Sequence, residues 1–556
     1  MLSAILNGKR KGIIMLQQWQ LSLKQCLILG LLNLSLASVH LCAHAANSSL
    51  FNEHQITLPF NLTQPVYAAN LLTNPGNEML LLGVNESGQR QFAIYALNAN
   101  NQLVLMDHLR LDNSLFAFDV GTPDKNGQQQ LYFLSKDQLF QYQFVGPAAE
   151  PIKPSGPMMA APQAEVIASI EHSNSRLVAI SKIKSMYLSE KADAIITLDF
   201  AKDINNDLRD DFVLPHFEQL NLYLSGEDAT QLTGLKEQHL NIRSLLRVDG
   251  ADVRFKPSDL LFVDMDLDTR NDIVLVESGQ LRVYQQTLSG DFNPEPLLIK
   301  VAAEIEGINW WDKIDVDGQQ VDQSQLKHRS VETITDVNGD ALPDLIVRFT
   351  QSSGVLDRTN DYEFYYASVV DGHLSYALKA DTRIQSDSTL SDFKWFDLDG
   401  DGKQEIMLSS FDLSLSQIIS ALLSSSIEQE VLIFKMDENN LFPAKPTASQ
   451  DVEITFSLSS GRSGEPMVKA QDIDGDKFKD LIFSEGEEEI KVLFASRDGK
   501  RLFNKRAEKH KVQVPKNAKS ITHNDLNNDG KMDLILHYSR ADAADLLNKV
   551  IVLIAN

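Results

Sequence analysis

The chain has 556 residues, a formal net charge of −25 and 43% hydrophobic residues. That balance excludes a disordered chain and one with many membrane spans. The excess of acid sets it against nucleic acid and anionic membrane surfaces as partners.

From the N-terminus, residues 26–39 (CLILGLLNLSLASV) form an apolar run of fourteen residues preceded by Lys24, with no acidic residue before Glu53. The run is too short to span a bilayer and has the length of a signal-peptide core. The small-residue pattern Ala43-His44-Ala45 places cleavage after Ala45 or Ala46, so residues 1–45 read as a signal peptide whose true start is Met15. Leu41 before Cys42 argues against a lipid anchor, and both cysteines, Cys26 and Cys42, leave with the signal. An exported chain without disulfides needs another source of stability. The same cleavage removes four basic residues and no acid, taking the net charge to −29. No transmembrane segment is expected in the remainder.

Residues 46–556 read as repeats. Residues 64–112 give four strand patterns (PVYAANLL, EMLLLGV, RQFAIYAL, QLVLMDHL), with a loop at 70–78 that has lost its acids apart from Glu78. Residues 114–153 repeat the scheme with a loop at 119–130 that carries Asp119, Asp124 and Asn126. Neither loop is expected to bind metal.

A nine-residue pattern, D-x-[DN]-x-D-x-x-x-[DE], then occurs six times, at 203–211, 264–272, 336–344, 397–405, 472–480 and 525–533. Each copy follows a short strand pattern and precedes an apolar one such as DIVLVES or DLILHYS. Repeats of this size predict an all-β fold, a single β-propeller of four-stranded antiparallel blades. Eight blades are the favoured count and seven the alternative. The last strand pattern, KVIVLIAN, lacks an outer partner that HQITLPF near the N-terminus supplies. Residues 154–195 and 306–331 exceed a blade's needs and predict inserted hairpins or loops, and 411–430 predicts one short apolar helix.

The repeated loop carries calcium chemistry. Calcium takes six to eight hard oxygen ligands, and a tight loop supplies them from alternating positions. Positions one, three, five and nine supply Asp203, Asn205, Asp207 and Asp211 in the first copy, then Asp264, Asp266, Asp268 and Asp272. The third and fourth copies give Asp336, Asn338, Asp340 and Asp344, then Asp397, Asp399, Asp401 and Glu405. The last two give Asp472, Asp474, Asp476 and Asp480, then Asp525, Asn527, Asp529 and Asp533. Position seven contributes only a backbone carbonyl, which is why it tolerates Arg209, Arg270, Leu342, Lys403, Phe478 and Lys531. Twenty-one carboxylates fill these positions and would repel one another without cations. About six calcium ions in a structural role are expected. An EF-hand is excluded, because position twelve is apolar (Leu214, Leu275, Val347, Leu408, Phe483, Leu536) where that motif needs Glu.

These residues resemble the FG-GAP or VCBS-type repeats of the integrin α-subunit propeller and of exported bacterial proteins, over roughly residues 60–556. The resemblance implies a calcium loop between the first two strands of each blade. Two departures stand out: glycine occupies position six only as Gly402 and Gly530, and the FG and GAP tripeptides are absent. Leu208 and Thr269 at that position put the first two copies in doubt.

Beyond the loops the sequence offers no H-E-x-x-H, no G-x-S-x-G and no P-loop. His216 and His537 lie on strands and read as core or interface histidines. Trp310-Trp311, beside Asp312, Asp315 and Asp317, reads as buried structure, with a sugar or peptide site as the alternative. The leading expectation is a non-catalytic binding, scaffolding or adhesion-type module with a protein or glycan partner, in the periplasm or at the surface of a Gram-negative-like cell. The rival is a hydrolase or lyase acting on a polysaccharide or phosphoester, which would need uncompensated ionisable groups converging on the propeller axis.

Overall fold

The structure, a computed structural model, describes residues 49–73, 76–144, 171–172, 176–187, 195–226, 234–249, 252–313, 322, 324–354, 357–386, 389–411, 426–457, 462–463 and 465–556. The signal-peptide segment 1–45 lies outside them. The fold is all-β: short 3-10 turns are the only helical elements among the described residues, and no helix there is long and apolar enough to cross a membrane.

Four-stranded antiparallel units, labelled sheets I to VIII below, follow one another among the described residues; V and VI are two parts of one nine-stranded sheet joined by the parallel pair Asn360↔Thr389, and I and II carry extra strands. Sheet I comprises Tyr67–Ala69, Glu78–Val84, Arg90–Leu97 and Leu103–Arg110. Sheet II comprises Ala117–Val120, Leu131–Leu134, Gln138–Tyr142 and Leu177–Lys182. Sheet III is Ala201–Lys202, Asp211–Pro215, Leu220–Leu224 and Lys236–Leu240, and sheet IV is Leu260–Val263, Asp272–Glu277, Gln280–Tyr284 and Leu297–Lys300. Sheet V is Lys327–Thr335, Asp344–Gly354, Asp357–Tyr365 and Thr382–Ile384. Sheet VI is Thr389–Phe396, Glu405–Phe411, Ser426–Phe434 and Ala448–Ser457. Sheet VII is Val468–Gln471, Asp480–Glu485, Glu489–Leu493 and Glu508–Lys511. Sheet VIII takes Ile521–Asn524, Asp533–His537 and Lys549–Ala555 from the end of the chain, and Phe51–Thr57 from its beginning. Seven residue pairs, from Phe51↔Ala555 to Thr57↔Lys549, join those last two strands.

The second strand of each sheet is apolar on both sides because both faces are covered. Eight buried clusters do the covering, and each joins two sheets. Phe92 and Ile94 of sheet I meet Phe118 and Phe133 of sheet II. Leu134 of sheet II meets Phe212 of sheet III. The series continues through III–IV, IV–V, V–VI, VI–VII and VII–VIII. The remaining cluster packs Ile535, Val550 and Val552 of sheet VIII against Met79 and Leu81 of sheet I.

Backbone hydrogen bonds link the loops between first and second strands in the same order. Lys479 N–H in the sheet VII loop donates to Leu398 O in the sheet VI loop at 2.9 Å, and Gln404 N–H of the sheet VI loop to Val337 O of the sheet V loop at 3.0 Å. Met532 of sheet VIII donates to Asp472 O at 2.8 Å, Asn77 of sheet I to Leu526 O at 3.2 Å, and Gln129 of sheet II to Asn70 O at 2.7 Å. In sheet V the donor position is Pro343, which has no N–H to give. Side chains serve between other sheets: Asp210 accepts from Thr122 N–H at 2.7 Å and from the Tyr132 hydroxyl at 2.9 Å.

Three expectations need correction. Phe411 ends a strand and residues 426–430 begin another, so the described ends of 411–430 are extended rather than helical, and 412–425 lie outside the described residues. Residues 428–431 alternate exposed and buried, the period of a strand. The outer strand of sheet II is Leu177–Lys182, beyond the long insertion, rather than a segment before residue 153. Residues 327–331 belong to the first strand of sheet V, not to an insertion. Two hairpins escaped the sequence reading, Leu245–Asp249 with Asp252–Lys256 and Ser368–Val370 with His373–Ser375.

Gly76 sits where sheet I's loop crosses sheet VIII's. Its φ is +93°, and a Cβ there would lie 2.1 Å from Leu526 O. Gly76→Ala should therefore lower stability by at least about 2 kcal/mol, since both strain and overlap oppose it. Thermal unfolding checks this against Gly226→Ala, where a Cβ meets nothing closer than 4.0 Å.

Candidate metal centres

Each of the six nine-residue loops joins the first strand of a sheet to its second, and all six share one internal hydrogen-bond pattern. The Asp at position one accepts the N–H of position five at 3.0–3.2 Å and that of position six at 2.7–3.0 Å. The Asp at position five accepts the N–H of position seven at 2.9–3.0 Å. A short acidic side chain capping backbone N–H groups two to five residues on is the chemistry of an Asx turn.

Such a tight path requires left-handed backbone twice per loop. Position four has positive φ at Asn206, Leu267, Gly339, Gly400, Gly475 and Asn528, and position six at Leu208, Thr269, Ala341, Gly402, Lys477 and Gly530. The doubt that Leu208 and Thr269 raised is answered for the backbone: φ is 65° and 74° there, against 83° at Gly402 and 85° at Gly530. The strain of a side chain in this region, of order 1 kcal/mol or more, is held by the surrounding hydrogen bonds.

Position nine opens the second strand and is buried in every copy. One of its oxygens accepts the N–H of position two, at 2.8 Å from Leu398 to Glu405 and 3.3 Å from Ile204 to Asp211. The other accepts an N–H just beyond or at the end of the third strand, Ser225, Gln286, Ala367, Ala495 or Ala555, at 2.8–2.9 Å. Burial, opposed by these hydrogen bonds and reinforced by nearby loop carboxylates, pushes Asp211, Asp344, Asp480 and Asp533 up to about 7 and Asp272 up to about 6.

In three loops the carboxylate oxygens of positions one, three and nine lie within 4.8 Å of one another: Asp264, Asp266 and Asp272; Asp397, Asp399 and Glu405; Asp472, Asp474 and Asp480. The other three loops have Asn at position three, which leaves fewer carboxylates to gather. In two of those, Asn338 and Asn527 donate to Asp340 and Asp529 at 3.1 and 3.0 Å. Position five is engaged elsewhere too, Asp268 by the Arg270 guanidinium and Asp476 by Arg497 at 2.6 Å. Hard oxygen donors on alternating positions, with one partner buried, fit calcium rather than a softer metal.

The sheet VI loop differs in a way the sequence did not disclose. Lys435, at the end of the third strand, sets its Nζ 2.5 Å from Asp399, 2.8 Å from Asp401 and 3.5 Å from Glu405. The residue at that register position is Leu224 in sheet III, Gln285 in IV, Tyr366 in V, Phe494 in VII and Ile554 in VIII, so only sheet VI carries its own cation there. Burial pushes Glu405 up to about 7 even so, against the pull of the Leu398 N–H and the Lys435 charge.

The two degenerate loops keep fragments of the plan. Glu78 is buried and accepts Leu71 N–H at 2.7 Å and Leu72 N–H at 3.1 Å, as a position-nine acid does, while Asn70 binds Gln129 and Gly127. In sheet II that register position is Leu131, and Asp119 instead accepts Phe200 and Ala201 N–H at 2.7 Å.

Outside the loops, Trp310 and Trp311 form a 3-10 turn with rings 5.2 Å apart and edge to face. They are not buried as expected: Arg358 lies 4.2 Å over Trp310 and Arg348 5.7 Å over Trp311, and Trp311 stays 37% exposed. Asp315 and Asp317 lie outside the described residues. His537 is buried as expected.

No family model matches the chain, and no curated protein matches it. Among solved structures, the S. cerevisiae core factor is similar over 81% of this chain and 60% of its own, at 10% identity and a TM-score of 0.34. The WD40 domain of SCAP from fission yeast is similar over 90% of this chain and 98% of its own, at 10% identity and a TM-score of 0.33. A putative 6-phosphogluconolactonase from Bacteroides uniformis is similar over 80% and 98%, at 10% identity and a TM-score of 0.31. Likenesses this distant carry no inference about function.

Of the strained position-six residues, Thr269 is β-branched and the least suited to positive φ. Thr269→Gly should raise stability by about 1 kcal/mol, read as a higher unfolding midpoint. An unchanged or lower midpoint would show that the loop does not hold Thr269 in that conformation.

Proposed function

We propose that the chain is an eight-bladed β-propeller whose blade loops hold structural calcium, and that it serves outside the cytoplasm as a non-catalytic module for protein or glycan recognition. Eight sheets, eight clusters joining them in chain order with the last returning to sheet I, and the terminal strands paired in sheet VIII support the ring. The resemblance to FG-GAP repeats and the signal-like N-terminus support the cellular setting.

The observation that carries the calcium reading is the gathering of carboxylates from positions one, three and nine, with the ninth buried and burial-shifted. Asp472, Asp474, Asp476 and Asp480, and their equivalents in the other loops, would hold the ion. Calcium supplies positive charge where the fold concentrates acid, and binding to the folded chain alone stabilises it by mass action. Six ions would add twelve positive charges to a mature chain that otherwise carries −29. The loops spend their carboxylates within the protein, which suits a structural ion better than a catalytic one.

Lys435 makes the sheet VI loop the weakest calcium site, since its ammonium already contacts three of the four acids and offsets one of their charges. Two measurements on residues 46–556 test the proposal. Adding excess chelator should lower the melting temperature sharply, and a metal count should give five tight ions with a sixth bound at least about tenfold more weakly, a difference of 1.4 kcal/mol or more. Lys435→Met should bring the sixth site into line with the others. No bound calcium and no chelator effect would refute the reading.

A further inference from the structure

A second charged centre of opposite sign lies at the loop ends of sheets VI to VIII. Lys394 and Lys469 occupy the same register position in the first strands of sheets VI and VII, three residues before Asp397 and Asp472. At that position the other sheets carry Tyr67, Phe118, Phe200, Leu261, Thr333 and Thr522. Sheets VI and VII pack through Phe396, Leu398, Val468 and Leu481, and sheets VII and VIII through Met467, Ile473 and Ile521, which makes the three first strands neighbours.

Two further basic groups join them. Lys479, from the sheet VII loop, extends its Nζ to 5.4 Å from the Phe396 ring. His523, on the first strand of sheet VIII, is half-buried, with Nδ1 enclosed and given no hydrogen-bond partner. Burial and then the Lys394 charge press Lys469 down to about 8. No carboxylate contributes to that shift, and among the described residues no ion pair joins Lys394, Lys469 or Lys479 to a carboxylate.

Three ammonium groups on neighbouring strands with no ion-paired carboxylate repel one another, and an anion between them would turn that repulsion into charge-assisted hydrogen bonds, with the unpartnered His523 ring beside it. We propose that Lys394, Lys469, Lys479 and His523 form a binding site for an oxyanion, a phosphate or sulfate group that is either free or carried on a sugar. In the ring of eight blades the first strands face the axis, so the site would sit at its loop-side mouth. The proposal needs only the packing of sheets VI to VIII, and its failure is separable from that of the calcium reading, which the metal count decides.

The test is calorimetric titration of the calcium-loaded protein at pH 7 and fixed ionic strength. Inorganic phosphate is the probe in one arm and glucose 6-phosphate in the other, with chloride as the reference anion. Phosphate should bind with a dissociation constant below about 1 mM, and Lys394→Met/Lys469→Met should weaken it at least about tenfold, the scale of losing one hydrogen bond to a charged group. Lys125→Met, remote on the sheet II loop, should leave binding unchanged. The double variant should melt no lower than the parent without phosphate, because it removes like charges, which keeps lost binding distinct from lost folding. Tighter binding of the sugar phosphate assigns the site to an ester, and equal binding to the free oxyanion; either upholds the proposal. Equal affinity in the double variant and the parent, or phosphate binding no tighter than chloride, overturns it.

Discussion

The fold hangs on the carboxylate at position nine of each loop. It is the first residue of the second strand, it is buried, and its two oxygens tie position two of the loop to the end of the third strand in five of the six copies. Without it the loop's second N–H and a third-strand N–H would both be buried without an acceptor, at about 1–3 kcal/mol each. Its persistence as Glu78 in sheet I, where the other acids have gone, argues that this hydrogen-bonding role stands apart from any cation. Sheet II, with Leu131 at that position, reorganises instead around Asp119 and Asp210, which reach to sheet III and back from it.

The same loops set the spacing of neighbouring sheets. A loop N–H from one sheet meets the carbonyl of the loop before it, so sheet-to-sheet alignment is fixed at the end where the acids lie. The apolar clusters supply bulk attraction between sheets but little direction, because hydrophobic burial is nearly indifferent to a small slide. Hydrogen bonds such as Lys479 to Leu398 and Asn77 to Leu526 supply the direction. Loop geometry and sheet packing are thus one constraint, and a change in loop charge reaches the interfaces directly.

Much of this was legible from residue order. A nine-residue pattern before an apolar strand located six of the eight loops and the strand that follows each, because the alternation of ligand positions and the two covered faces both leave marks on sequence. The strand patterns of sheet I and the pairing partners at the two termini were visible for the same reason. Less visible was whatever depends on contacts between distant residues. Lys435 reads as an ordinary strand-end lysine until register sets it opposite Glu405. Leu177–Lys182 could not be assigned to sheet II across a long insertion, since strand pairing has no local signature at that separation. The helix expected at 411–430 fails at the ends the structure describes, where Phe411 and residues 426–430 are extended, because apolar content alone does not distinguish a helix from a strand.

Position six shows how a sequence rule can mislead through its usual cause. Glycine is favoured where φ is positive because it has no Cβ, so its replacement by Leu208 and Thr269 put two copies in doubt, and Ala341 and Lys477 depart from it as well. Yet all four keep the left-handed backbone, with the N–H of each held by the Asp at position one at 2.7–2.8 Å. What the loop conserves physically is the Asp at position one, which can hold any residue in that conformation at a tolerable cost. Glycine only lowers that cost. The acid is therefore the better mark of the motif, and in the sheet II loop, where it is missing, Asp124 accepts instead from the N–H groups of Asn126 and Gln128.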